Sequence, residues 1–312
     1  MTQNFGYNPN PEASAAMADA QPRCYGEQIE SLVRDDDGGD VFAYRALVWL
    51  LKQIPALANR WLLFLDGSLR LRSRNQGPYG TCVGMGTATA LDLMQAWNIA
   101  EQGQAESLPA LHSAVGAYGL ARHASNDLGR HDGSYGSATI KAMLNWGLLY
   151  QMKYGAYDLS DYNGDTARLW AYRGVPAAMA VEANQHRLTA YQRVKSGEEV
   201  WALAGIGRPT IMCSQVGWNG SRDSDGAIRR NGRWAHCMCA GAARRTTSSG
   251  RRLILVMQSY GDNGIKGPYF SDQPLGSFYA DIDDIDAAVR QGDSWAVADV
   301  NGFEAKGASP WA

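Results

Sequence analysis

The run Asn75-Gln76-Gly77-Pro78-Tyr79-Gly80-Thr81-Cys82 constrains this chain more than any other stretch. A turn carrying Pro and Gly leads into Val83-Gly84-Met85-Gly86 and then a segment that reads as a helix through about Trp97. The chain thus delivers a thiol to a helix N-terminus, where unpaired backbone N–H groups and the helix dipole favour thiolate over thiol. Gln76 carries an amide donor that the turn can fold back beside the sulfur. A thiolate with a donor pair, the Gln amide and the cysteine's own N–H, suits attack on a carbonyl and stabilisation of the oxyanion formed. Taken alone, Cys82 reads equally well as a small core residue.

Two later segments supply what a nucleophilic thiol needs. Trp234-Ala235-His236-Cys237-Met238-Cys239-Ala240-Gly241 reads as a strand with His236 near its start. Leu253-Ile254-Leu255-Val256-Met257-Gln258-Ser259-Tyr260-Gly261 reads as a buried strand ending in a polar residue and a Gly turn. A thiol needs a base, and the base needs a third group to hold its ring. Cys82, His236 and Gln258 occur in that order, each at the end of a predicted element.

In these segments the sequence resembles the papain-like cysteine peptidases. Their Gln-Gly-x-x-Gly-x-Cys pattern is matched by Gln76 to Cys82, and their Gly-x-His-Ala strand by Trp234-Ala235-His236-Cys237. Their Asn-Ser-Trp-Gly turn, ahead of Gly-x-Gly-Tyr, corresponds to Gln258-Ser259-Tyr260-Gly261 and Gly267-Pro268-Tyr269-Phe270. His236 and Gln258 fall slightly beyond the usual distance of about 130–150 residues downstream. Gly133-Ser134-Tyr135-Gly136 looks like the family's Gly-rich substrate edge. The resemblance spans roughly Asp66 to Val300.

It implies an α+β fold, with a helical half whose central helix carries Cys82, an antiparallel β-barrel-like half, and a cleft between them. It implies a peptidase in which Cys82 is the nucleophile and His236 the base that later protonates the leaving amine. Gln76 and the Cys82 N–H would hold the oxyanion, and Gln258 would stand where the family has the Asn that orients the imidazole. Gly133 and Ser134 would pair with an extended peptide substrate, with Ala235 and Tyr260 beside it. No cofactor and no metal is implied. Gln258 is one methylene longer than Asn, Val83 replaces an aromatic, and Tyr260 replaces the Trp that shields the third residue. These departures keep a second reading open: a catalytically inactive papain-fold protein with a binding, structural or assembly role.

The expected organisation is an N-terminal extension over 1–65, a helical half over 66–207 and a β half over 208–312. Residues 1 to about 38 read as an irregular polar arm, and Tyr44, Leu47, Val48, Leu51 and Ile54 as a short amphipathic helix broken by Pro55. The extension lacks the long charged helical pattern of an inhibitory propeptide, so a packing arm or a contact with a protein partner is the plainer expectation. Strands are expected at 210–216, 236–242, 253–259 and 295–300.

Composition narrows the remaining classes. With 45% hydrophobic residues in 312, the chain can bury a sizeable core. A net charge of −2 gives no basic footprint for nucleic acid. Five cysteines, Cys24, Cys82, Cys213, Cys237 and Cys239, are too few and too oddly spaced for a disulfide framework, which favours a cytoplasmic or otherwise reducing compartment. No signal peptide is read at the N-terminus, and Arg45, Lys52 and Arg60 interrupt the longest apolar segment, so no membrane span is expected. Cys237 and Cys239 share one strand face opposite His236 and read as packing thiols rather than metal ligands. His112, His123, His131 and His186 read as surface or internally satisfied, and the aspartates from Asp281 to Asp286 as a solvated helix start.

Overall fold

The structure is a computed structural model that describes residues 3–4, 6–19, 43–101 and 108–301. The helix predicted after the turn runs over Cys82–Glu101 and is the centre of the molecule. Its small residues let neighbours approach closely. A Cβ at Gly84 would lie 2.5 Å from the Ala114 carbonyl oxygen, and one at Gly86 would lie 3.1 Å from the Cys237 sulfur. Leu91, Leu93 and Met94 fill the remaining space, each at most 1% exposed. Full burial of such side chains stabilises by about 1.5–3 kcal/mol each.

Around this helix pack Ala43–Lys52, Ala114–Ala124 and Gly136–Asn145. The predicted amphipathic segment does bury Tyr44, Leu47 and Leu51. That helix stops at Lys52, ahead of Pro55 as expected, and Pro55 then opens a second helix, Pro55–Trp61, where its missing N–H costs no hydrogen bond. Two small hairpins follow the same logic of short local pairing, β2 (Leu62–Leu65) with β3 (Ser68–Leu71) and β4 (Lys153–Tyr154) with β5 (Tyr157–Asp158).

The main sheet contains β6 (Leu188–Arg193), β7 (Thr210–Val216), β8 (Arg233–Thr246), β9 (Arg252–Met257), β10 (Phe278–Asp281) and β11 (Asp293–Val300). Their order is β10-β9-β8-β7-β11-β6, an open path with every neighbour antiparallel. A two-residue strand, β1 (Gln3–Asn4), joins β8 in parallel off this path. The fold is therefore α+β, and the described sheet does not close into a barrel. Two of its strands, β1 and β6, precede residue 208, so the sheet draws on the chain before that point as well as after it.

Alternation along β8 separates two cores. Cys237 and Cys239 join the cluster that includes Cys82, Leu91 and Met94. Met238 and Ala240 join the cluster on the other side, with Val200, Trp201 and Leu203 of the helix Gly197–Gly205. The helix expected among the late aspartates is Ile282–Val289, with Asp281 at its N-cap position. No helix among the described residues is long and apolar enough to cross a membrane.

Candidate active site

Cys82 is the first residue of the central helix and is fully buried. Burial, and after it the neighbouring Cys237 thiol, raise its pKa well above the ordinary thiol value. Opposing this, the backbone N–H groups of Cys237, Val83 and Cys82 itself stabilise the thiolate. Desolvation prevails over this stabilisation.

His236 is also fully buried, and desolvation draws its pKa down to about 3. Its ring stacks on Tyr260 at 4.8 Å between centroids with 9° between planes, and Trp234 meets it edge-on at 5.7 Å. Charge on Cys82 raises the Tyr260 pKa, after burial, so the thiol, the tyrosine ring and the imidazole form one neighbourhood. In this state the thiol and the imidazole are both neutral near pH 7.

The Gln76 turn is tied to the segment after Gln258. The Gln76 N–H donates to the Ser259 carbonyl at 2.9 Å, and the Ser259 hydroxyl donates to Gln76 Oε1 at 2.6 Å. Asn75 bridges Tyr260, and Gln76 Nε2 donates to the Tyr79 carbonyl at 2.7 Å. Two motifs far apart in sequence are thereby locked together beside Cys82. Gln258 is engaged locally: its Nε2 donates to the Gly276 carbonyl at 2.6 Å and its Oε1 accepts the Tyr260 N–H at 2.5 Å. Among the described residues no hydrogen bond joins Gln258 to the His236 ring.

The N-terminal segment runs through this site. Gln3 and Asn4 pair with Trp234 and Ala235, immediately before His236. Gly6 then abuts Gly80, two residues before Cys82. The Ser134 N–H donates to the Gly6 carbonyl at 2.7 Å, and the Asn8 N–H donates to the Ser134 carbonyl at 2.6 Å. The arm expected to be mostly irregular is thus extended backbone at its start, bridging the two walls that carry Ala235 and Ser134, and then an α-helix over Pro11–Asp19. Gly133 backs this edge, donating to the Tyr118 hydroxyl at 2.9 Å and accepting from Arg122 at 2.6 Å. Cys24 and all of residues 20–42 lie outside the described residues.

Three residues of this site escaped the sequence reading: Tyr7, Ser14 and Asp293. Tyr7 is 2% exposed, and burial, then the nearby Asp293 carboxylate and the Cys213 and Cys237 thiols, raise its pKa. Asp293 opens β11 and accepts from the Ser14 hydroxyl at 2.6 Å, the Gly136 and Ser137 N–H groups at 2.7 and 2.9 Å, and Trp295 Nε1 at 2.9 Å. Burial nonetheless raises its pKa above the usual carboxylate value, against the pull of these donors. An aspartate at a strand start has no motif of its own; its role arises only when the N-terminal arm and the helix Gly136–Asn145 meet β11.

The remaining candidates behave as packing. Cys213 and Cys237 face each other across β7 and β8 with sulfurs 2.7 Å apart. His112 is buried and pairs through Nδ1 with Asp92 at 2.9 Å, while Arg74 pairs with the other carboxylate oxygen at 2.5 Å. Among the described residues no cluster of His, Cys, Asp and Glu is arranged to hold a metal ion.

No family model matches the chain, and no curated protein is similar in sequence. Solved structures do resemble it. Xylellain, a cysteine protease from Xylella fastidiosa, matches over 95% of this chain and 96% of its own at a TM-score of 0.57 and 15% identity. The ragweed pollen cysteine protease Amb a 11 in its proform covers 93% of this chain and 76% of its own, with a TM-score of 0.48 and 12% identity. Bromelain from Ananas comosus, in complex with the inhibitor E64, covers 72% and 92% at 0.40 and 16%. The xylellain match is a likeness of fold, and the fold of this chain is that of the papain-like cysteine proteases.

Proposed function

We propose that this chain is a cysteine peptidase of papain-like chemistry, held in a closed state by its own N-terminal segment. Cys82 Sγ attacks the carbonyl carbon of a peptide bond as its proton passes to His236. The oxyanion is held by the Cys82 N–H and the Gln76 amide. His236 then protonates the leaving amine, and water, deprotonated by His236, releases the acyl group from the sulfur. The observation carrying this reading is the Cys82 thiol at the start of the central helix, with the Gln76 turn locked to the segment after Gln258 beside it. A second support is the extended segment paired along Ser134 and Ala235, which is how a cleft holds peptide backbone.

The closed state is consistent with latency rather than catalysis. Buried as they are, neither Cys82 nor His236 favours its charged form, and displacing the arm returns water to both. A non-catalytic binding role is the second reading, and one observation favours it: the Gln258 amide is bonded to Gly276 and Tyr260 instead of to His236. The pH dependence of Cys82 alkylation by iodoacetamide separates the two readings, measured in full-length protein whose arm has been displaced by Gly6→Ala. A thiolate that persists well below about pH 8.5, the free-cysteine reference, and disappears in the same protein carrying His236→Ala supports the peptidase. A thiol that titrates near or above that value, indifferent to His236, leaves the binding role. Cleavage of a peptide library by the opened protein then gives its products directly.

A further inference from the structure

Arg122 lies in the last turn of the helix Ala114–Ala124 and is 1% exposed, a guanidinium taken almost wholly out of water. It donates to the carbonyl oxygens of Gly133, at 2.6 Å, and of Asp127. Both bonds come from its Nη atoms, and Nε has no hydrogen-bond partner among the described residues. No carboxylate among those residues lies within ion-pair distance of it. Arg222, also buried, is satisfied more fully. It donates to the carbonyls of Pro268, Ser277, Ile265 and Gly267 and lies over the Tyr269 ring. Buried charges are ordinarily paired, so Arg122 stands short of an anion.

A cavity of about 420 Å³ is lined by Arg122 together with Arg130, His131, Asp132, Arg168 and Tyr172. Arg130 and Arg168 are exposed. Among the described residues Arg168 makes no ion pair, and Arg130 makes only a loose one, with Asp127 at 3.8 Å. Asp132, the carboxylate of this wall, is engaged elsewhere: it accepts from the Tyr118 hydroxyl at 3.1 Å and from the Gly80 N–H at 3.3 Å. Three guanidiniums therefore meet one carboxylate that is already occupied, and the cavity carries an excess of positive charge.

We infer that this cavity binds a phosphate group, with Arg122 as its buried cation and Arg130 and Arg168 as its outer partners. A guanidinium presents paired N–H donors in one plane, which match two oxygens of a phosphate or a carboxylate. Three guanidiniums call for more oxygens and more charge than a single carboxylate brings. A phosphate ester brings three terminal oxygens and nearly two negative charges near pH 7. The volume falls in the range of small-molecule sites, about 300–1,000 Å³. It therefore admits the free ion or a phosphate ester whose organic part lies against the exposed Tyr172. The inference is independent of the peptidase reading, since Cys82 does not line this cavity.

The test is isothermal titration calorimetry of the full-length chain with inorganic phosphate and with phenyl phosphate, at constant ionic strength. Saturable binding of either supports the inference. Binding of inorganic phosphate alone assigns the free ion, and tighter binding of phenyl phosphate assigns an ester. Arg122→Met is expected to weaken binding about tenfold or more, the effect of losing a charged hydrogen bond in a buried site. Arg168→Ala, at an exposed position, is expected to weaken it about two- to fivefold. Arg229→Ala removes an exposed arginine that does not line the cavity and is expected to leave the affinity unchanged. Should Arg122→Met fail to fold by circular dichroism, the double variant Arg130→Ala/Arg168→Ala carries the test, with an expected loss of about fivefold or more. Binding of neither probe, or binding untouched by the substitutions in the cavity, overturns the inference. So does an equal loss in Arg229→Ala, or benzoate bound as tightly as phenyl phosphate.

Discussion

Gly6→Ala is the sharpest perturbation of the closed state. Gly6 sits at φ +106°, and a Cβ there would lie 2.0 Å from the Gly80 carbonyl oxygen and 2.2 Å from its carbon. Gly80 is poorly placed to yield, because its N–H is tied to Asp132 at 3.3 Å and the turn around it is pinned through Gln76 and Ser259. The arm must therefore move, losing its two bonds to the Ser134 backbone. The backbone conformation alone costs a non-glycine residue about 1–3 kcal/mol, which shifts opening roughly 5- to 150-fold at about 1.4 kcal/mol per decade. The overlap with Gly80 adds to this. The assay is the iodoacetamide labelling rate of the Cys82 peptide at pH 7, followed by mass spectrometry. A rise of at least about tenfold is expected. An unchanged rate would mean that the arm does not control access to Cys82, and the argument for a closed state would fail.

Three further outcomes follow from the same geometry. Burial draws the His236 pKa down to about 3 from its ordinary 6.5, so its contribution to stability is full above about pH 6.5 and is lost as pH falls toward 3. By pH 5 the loss is about 2 kcal/mol, seen as a falling denaturation midpoint that His236→Gln flattens; equal acid sensitivity in both proteins would refute this. Gln258→Ala strips partners from the Tyr260 N–H and the Gly276 carbonyl, and costs about 1–3 kcal/mol in chemical denaturation, whereas a neutral result would show that these bonds hold nothing in place. Asp92→Ala leaves buried Arg74 without its carboxylate and costs about 3–5 kcal/mol; a loss under about 1 kcal/mol would place Arg74 in contact with water.

The elements that could be read before the structure were those with local causes. The turn-to-helix junction at Cys82 follows from Pro78, Gly80 and the small-residue helix behind them, and the strand expected at 210–216 is β7 to the residue. The strand around His236 is longer than its apolar core suggested, running to Thr246, because ladder pairing with β9 continues through a bulge between Ala240 and Arg244. The break at Pro55 was legible as well, since the residue before a proline is pushed out of the helical region and Ile54 is extended; that Pro55 also opens a second helix was not. The amide of Gln258 could be placed at the end of β9 but not aimed, since its direction depends on Gly276 and on the backbone of Tyr260.

By itself, then, the sequence determined the setting of Cys82 at a helix start, the strand carrying His236 and the α+β division, because each rests on local chemistry or on periodicity within a few turns. Tertiary structure alone decided what packs against Ser134 and Ala235. Gly6, Tyr7 and Ser14 belong to a segment with little periodicity of its own, and Asp293 stands nearly three hundred residues later at the start of an ordinary strand. What joins them is a buried carboxylate collecting donors from the arm, from the start of the helix Gly136–Asn145 and from Trp295. Such a convergence leaves no spacing to read, because hydrogen-bond geometry depends on distance in space and not along the chain.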